Sequence, residues 1–401
     1  MSTLPTTKRE YPFLDGFRAL AVLWVIWHHV YLFFYVDFFL WDVKNFLHIL
    51  GAENALGAFF MMQKFFDSIA YCGNLGVDMF FVISGFLITG LLVGNFEKSP
   101  DIIRFYTRRC LKIIPQYLLA VIVGLILARV IPSTTIQGMW AMTSTGNVHS
   151  VPWSYFLFLQ NCFHPVIILD HLWSLAIEEH FYFFYPLLLS VFFLVPASSA
   201  VRRRRLIGIC VVLMILANVI RIACYHYNQP LIHWPWSTPR VSMTTLFRFD
   251  ALAMGCVLRL LEPFYRGKAV KVTRAVAIVC LLTAGGIYYL FFTRIVSSNL
   301  LGQQYWYTFT LAYIAPACLL LAAYLGFFTL ANNKALRWIG RNSYGIYLWH
   351  YILIFPFAIY LAPYNLGLAI FLYVGTSILV GFLSTVTVEK FFLQWREKVA
   401  P

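Results

Sequence analysis

Charged residues are scarce in this chain, and acidic ones scarcer still: they make up 11% of 401 residues, with 16 Asp and Glu against 30 Lys and Arg. A water-soluble domain carries roughly 25% charge, so the shortage, together with 61% hydrophobic residues, excludes an ordinary soluble fold. No CxxC pair occurs among the eight cysteines, which removes the usual signs of a zinc site or a disulfide framework. Only Cys72 and Cys162 fall in segments expected on the outer side of the membrane, leaving room for one bridge. No internal repeat, Pro- or Ser-rich linker or soluble appendage is visible, so residues 1–401 read as a single domain. A removable leader is not indicated either: Arg18 interrupts the first apolar run, and no small-residue cleavage site follows it.

What the chain has in abundance is long apolar runs. A hydrocarbon core needs about 20 residues of helix. Runs near that length occur at 13–36, 75–95, 113–132, 172–195, 205–225, 243–262, 273–293, 307–330, 343–363 and 367–388. The fold expected is all-α, a polytopic transmembrane helix bundle of about ten spans. Segments 46–66 and 153–168 are shorter or interrupted and read as interfacial or re-entrant pieces. The net charge of +14 does not point to nucleic acid, because its basic residues cluster in alternate loops, as the positive-inside rule describes. One set of loops holds 21 of them, including Arg104, Arg108, Arg109, Lys112 and the run Arg202 to Arg205. The other set holds Lys44, Lys64, Arg240 and Arg294, with Arg129 at a helix end. Both termini are therefore expected in the cytoplasm.

Against this apolar background, ionisable groups inside the spans stand out, since each costs roughly 2.5 to 3.5 kcal/mol to insert. In FLDGFRALAVLWVIWHHV, Arg18 and His29 are eleven residues apart. That is close to three helical turns, so they share a face at a separation of roughly 16 Å. His28 points about 100° away and reads as a packing residue. Span four carries Glu178 and Glu179, counted to the depth of His29; span two carries Asp78 near its outer rim and Ser84 further in. Arg221, Arg248 and Asp250 lie at similar levels. Arg248 and Asp250 read as a structural pair, and Ser84-Gly85 as a small-residue packing face.

These residues, in this order, resemble the membrane acyltransferase-3 family, integral-membrane O-acyltransferases of sugars and other hydroxylated acceptors. The family's Arg or Lys, ten residues and a His are Arg18 and His29 in LDGFRALAVLWVIWHH. Similar segments are GVDMFFVISGFLIT at 76–89, FYTRRCLKIIPQY at 105–117, LWSLAIEEHFYFFYPLL at 172–188, FRFDALAMG at 247–255 and IGRNSYGIYLWH at 339–350. Lys112 stands where the family's RRxxRIxPxY has its third arginine. The resemblance implies a stand-alone type without a hydrolase-like C-terminal domain, placed in a bacterial inner membrane. It also implies transfer of an acyl group, by resemblance acetyl, from cytoplasmic acetyl-CoA to a hydroxyl of a cell-surface glycan, with no metal and no nucleic acid involved. A small secreted or antibiotic-like acceptor is the alternative. A transporter is the competing class, but two related halves would favour it and none are visible.

O-acylation needs a base for the hydroxyl and stabilisation of the oxyanion. An imidazole titrates near neutrality, so His29 is the candidate base, with Glu178 as its orienting carboxylate and Asp78, Ser84 and Arg248 as further candidates. Passage of the acyl group through Ser84 or His29 is an alternative route. Arg104, Arg108, Arg109 and Lys112 are the candidate ligands of the donor's phosphates, and Arg18 is the donor-binding candidate on the path of its arm. The loop from 37 to 74 is left with acceptor recognition as its one candidate role.

Overall fold

The computed structural model describes residues 11–34, 69, 72–94, 96, 99–131, 152–163, 166–227, 243–266, 268–293 and 306–399. Every element among them is helical: α1 Pro12–Val30, α2 Leu75–Val93, α3 Ile102–Val130, α4 Trp173–Leu194, α5 Ser199–Tyr227, α6 Thr245–Tyr265, α7 Val270–Phe292, α8 Trp306–Tyr324, α9 Lys334–Arg341, α10 Ser343–Tyr360, α11 Leu366–Ser384 and α12 Lys390–Val399. The segment 46–66, most of the 37–74 loop, and Lys44, Lys64, Arg240 and Arg294 lie outside the described residues.

Eight helical stretches are long and apolar enough to cross a membrane, and the chain is a multi-pass membrane protein. Side chains such as Leu282 and Phe371, 71% and 75% exposed, point away from the bundle. An outward apolar surface of that kind suits lipid rather than water. Two of the ten expected spans, α6 and α10, are missing from the eight. The reason is polarity: α6 carries Arg248, Asp250, Arg259 and Glu262, while four tyrosines, a tryptophan and a histidine dilute α10. Both helices lie deep in the bundle, where such groups are tolerated because protein surrounds them. Twelve of the 18 residues of α10 are buried.

Glycine sets the closest approach. A Cβ on Gly85 of α2 would strike the Leu252 carbonyl of α6, and one on Gly255 of α6 would strike that of Val82. The two backbones thus meet through reciprocal glycines, as in other tight membrane crossings. Gly345 and Gly381 do the same for α10 and α11.

Two boundaries differ from the sequence reading in ways that matter. α3 starts at Ile102, eleven residues before the expected span, with the Asp101 side chain accepting from the Arg104 N–H. Arg104 to Lys112 therefore form helical turns rather than a loop, placing Arg109, Lys112 and Gln116 near one another on successive turns. Before α4, a tight turn at Ile167–Leu172 continues the helix outward, making one span of Ile167–Leu194. Part of the apolar segment 153–168 thus folds against the bundle, with Tyr155 and Ile168 fully buried. Beyond α11, a π-helical turn at Thr385–Glu389 leads into α12, and Glu389 is buried. Such turns interrupt the helical ladder and recur at functional sites.

Candidate functional site

α1 and α10 both carry histidine on the faces they press together. The His29 Nδ1 lies 3.2 Å from the His350 Nε2, and the ring centroids are 5.1 Å apart. Tyr351 sets its ring edge-on to His29 at 4.7 Å. His171, from the turn before α4, stands 5.3 Å from His350 and stacks on Tyr351 at 4.9 Å. Its Nε2 donates to the Leu348 carbonyl at 3.2 Å. His28 is buried against Gly73, with its ring edge-on to His29 at 5.2 Å.

On the same helices lies a cleft. Arg18, Arg109, Lys112, Arg341 and Glu389 border one end, Ser174, Val77 and Tyr347 the other, with Phe80, Phe81, Leu175 and Tyr344 among its walls. Ser84, Glu178, Glu179 and Tyr182 line it as well. Ser84 Oγ donates to Glu178 Oε1 at 3.2 Å and accepts from the Tyr182 hydroxyl at 3.1 Å; that hydroxyl also reaches Glu178 Oε2 at 2.7 Å. The Arg109 guanidinium sits 4.3 Å above the Tyr182 ring. Arg18 is within Coulombic reach of Asp15, Tyr182, Arg109 and Glu178. Glu389 accepts from the Gln116 amide at 3.1 Å. Tyr347 links the cleft to the histidines: its hydroxyl meets Ser174 Oγ at 2.6 Å and the His171 carbonyl at 2.8 Å. His350 follows one turn later, about 4.5 Å further along α10.

The expected constellation is therefore brought together in two parts. Arg18, Ser84, Glu178, Arg109 and Lys112 share the cleft. His29 sits beyond its far end, and its ring partner is His350 rather than Glu178. The depth count had placed Glu178 level with His29. The N-terminal extension of span four puts His171 at that level instead, leaving Glu178 seven residues further on, roughly 10 Å along the axis. Of the other candidate phosphate ligands, Arg104 is exposed on α3, and Arg108 is half-buried and does not line the cleft.

Asp78 belongs to a different neighbourhood. Its carboxylate meets Arg248 at 3.3 Å, while Asp250 meets Arg221 at 2.5 Å, and all four are buried. Arg248 and Asp250 thus pair outward to α2 and α5 rather than with each other. Ser84, read as a packing residue, turns to Glu178, and its neighbour Gly85 makes the helix contact. Cys72 and Cys162 are free thiols, not a bridge. Among the described residues, no group of three or more His, Cys, Asp and Glu is arranged to hold a metal ion. His350, His171, Tyr347 and Glu389 were missed in the sequence. His350 meets the criterion that singled out His29, an ionisable group in an apolar run, whereas Glu389 lies past the last expected span.

Comparison with known proteins adds context to this geometry. A family described as an acyltransferase domain, the third of that name, matches residues 11–386. Peptidoglycan O-acetyltransferase OatA of Listeria monocytogenes is 28% identical over 368 residues, 87% of this chain and 50% of that protein. O-acetyltransferase OatA of Staphylococcus aureus is 26% identical over 356 residues, 87% and 51%. The putative peptidoglycan O-acetyltransferase YrhL of Bacillus subtilis is 28% identical over 366 residues, 86% and 48%. The chain spans about half the length of these curated relatives. No solved structure matches it.

Proposed function

Since the chain belongs to the acyltransferase-3 family, we propose that it is a bacterial membrane O-acetyltransferase, moving an acetyl group from cytoplasmic acetyl-CoA to a hydroxyl of a cell-surface glycan. The observation that carries this reading is the cleft: basic at one end and ending, at Tyr347, one helical turn from the paired histidines. That shape suits a donor with phosphates at one end and a thioester on a long arm. The printed names of the relatives favour peptidoglycan as the acceptor. Both termini face the cytoplasm in this reading, as does the basic end of the cleft, so the donor enters from inside.

Arg109, Lys112 and Arg341 meet the donor's phosphates, with Arg104 and Arg108 attracting it from further out. Arg18 and Glu178 border the path of the arm. Glu178 offsets the charge of Arg18 and Arg109, which holds two guanidiniums at membrane depth without leaving either isolated. At the outer end, His29 takes the proton of the acceptor hydroxyl as its oxygen bonds to the thioester carbonyl carbon. Collapse of the tetrahedral intermediate breaks the C–S bond, and the imidazolium returns the proton to the departing thiolate. Ser84 supports a second route. Its hydroxyl is hydrogen-bonded to a carboxylate and lines the cleft, the arrangement of an activated nucleophile.

Mass spectrometry of surface glycans from cells with and without the gene tests the acceptor class. Loss of an acetyl mass from peptidoglycan on deletion, restored by the wild-type chain and not by His29→Ala, is the expected result. Unchanged glycan acetylation would move the acceptor to another hydroxylated class.

A further inference from the structure

The proposed base works only if its lone pair is on the correct nitrogen, and the structure contains a device that decides this. His350 is fully buried, with Nδ1 2.6 Å from the Tyr347 carbonyl oxygen. A carbonyl only accepts, so Nδ1 must carry hydrogen. In a neutral imidazole, Nε2 then holds the lone pair. That Nε2 faces His29 Nδ1 at 3.2 Å, and the His29 ring also lies within reach of the Val25 carbonyl one turn back; because His350 Nε2 can only accept, the proton between the two rings belongs to His29 Nδ1. Its own lone pair is left on Nε2, the nitrogen turned away from His350.

We infer that His350 is a positioning residue that fixes His29 as the Nδ1–H tautomer and so presents Nε2 as the base. This rests on the reading of His29 as the base. It gives His350 the part that a carboxylate plays in a hydrolase triad, performed here by a neutral acceptor. A neutral ring suits this place. An anion would have to be desolvated in the bundle, whereas the His350 ring is held by a backbone carbonyl of its own helix.

The surroundings keep the polarity in one direction. His171, which packs on His350 beside the rings of Tyr347 and Tyr351, already uses its Nε2–H on the Leu348 carbonyl. Its buried Nδ1 has no hydrogen-bond partner and bears a lone pair, so it offers no proton to His350. The Tyr347 carbonyl is held by its place in α10, and the same residue's hydroxyl is tied to Ser174 and to the His171 carbonyl. A proton added to His350 Nε2 would reverse the bond, turn His29 Nδ1 into the acceptor and remove the base.

The test compares His350→Gln, whose side-chain oxygen offers an acceptor near the lost Nε2, with His350→Leu, which offers none. Acetyl-CoA and a soluble glycan acceptor are used on the purified, detergent-solubilised full chain, with His29→Ala alongside. The expected result is that His350→Leu lowers kcat by about 10²-fold or more with KM for acetyl-CoA unchanged, while His350→Gln keeps most of kcat. Equal activity of the Gln and Leu variants, both retained or both lost, overturns the inference, provided His29→Ala is inactive. A fully active His29→Ala sinks the base assignment itself and the inference with it. Where either variant fails to fold, nitrogen NMR of histidine-labelled wild-type protein decides. His29 protonated at Nδ1 supports the inference, and protonation at Nε2 overturns it.

Discussion

Two clusters of charge lie inside the same bundle and behave differently. Around α2, α5 and α6, Asp78, Arg248, Asp250 and Arg221 are buried and joined in two ion pairs, and none lines the cleft. Between α1, α3 and α4, Arg18, Arg109 and Lys112 border a cavity together with Glu178 and Glu179. Read along the chain, both clusters are ionisable groups at membrane depth, and only the reading of Arg248 and Asp250 as a structural pair sets them apart. The structure separates charges that complete one another from charges that face space. Paired charges can hold helices in register, whereas charges around a cavity have room for a ligand.

The strongest way to sharpen that contrast is to remove the histidine beyond the cleft's far end. His29→Ala should lower transfer by about 10²- to 10⁴-fold and leave thermal unfolding in detergent unchanged. A variant with near-normal turnover in an acetyl-transfer assay would break the comparison at its functional pole. The ion-paired cluster should show the opposite pattern. Asp250→Ala strands Arg221 and should cost about 3–5 kcal/mol, seen as a large fall in detergent melting temperature. Replacing both partners, Arg221→Met with Asp250→Leu, should recover much of that stability and retain transfer. If the double replacement is stable but inactive, the pair is not merely structural.

Smaller effects belong to the donor end. Arg18→Ala should raise KM for acetyl-CoA about tenfold or more, as expected for a lost charged hydrogen bond, with Arg18→Lys in between. Binding of a non-hydrolysable acyl-CoA analogue measures this, and unchanged affinity would move the donor away from the cleft. Arg104→Ala should change that affinity by no more than about twofold at moderate salt, since exposed charges are screened. Parity between Arg104 and Arg18 would erase the distinction between surface and cleft.

The helices and the face shared by Arg18 and His29 were legible because apolar length and helical period are local properties. Partners were not. Asp78 and Ser84 lie six residues apart on α2 and turn to different helices, Asp78 to Arg248 on α6 and Ser84 to Glu178 on α4. Which helix each side chain faces depends on packing, set partly by the glycines at 85 and 255. The depth of Glu178 was miscounted because the turn at Ile167–Leu172 lengthens its span outward. His350 was hidden for another reason. Its value comes from a carbonyl one turn earlier and a histidine 321 residues away, and neither relation is written in a local pattern. The basic stretch before the third span was recognised, but its helical start at Ile102, which puts Arg109 and Lys112 on the cleft while Arg104 stays exposed, needed three dimensions.

The central claim is that a donor entering at the basic end of the cleft is used at its far end, where the histidines meet. Proteoliposomes with the protein in one orientation test it, with acetyl-CoA added only on the face bearing the termini and a glycan acceptor confined to the opposite compartment. The account predicts acetylated glycan in that opposite compartment, and none when His29 is alanine. Product appearing only when donor and acceptor share one compartment would contradict it.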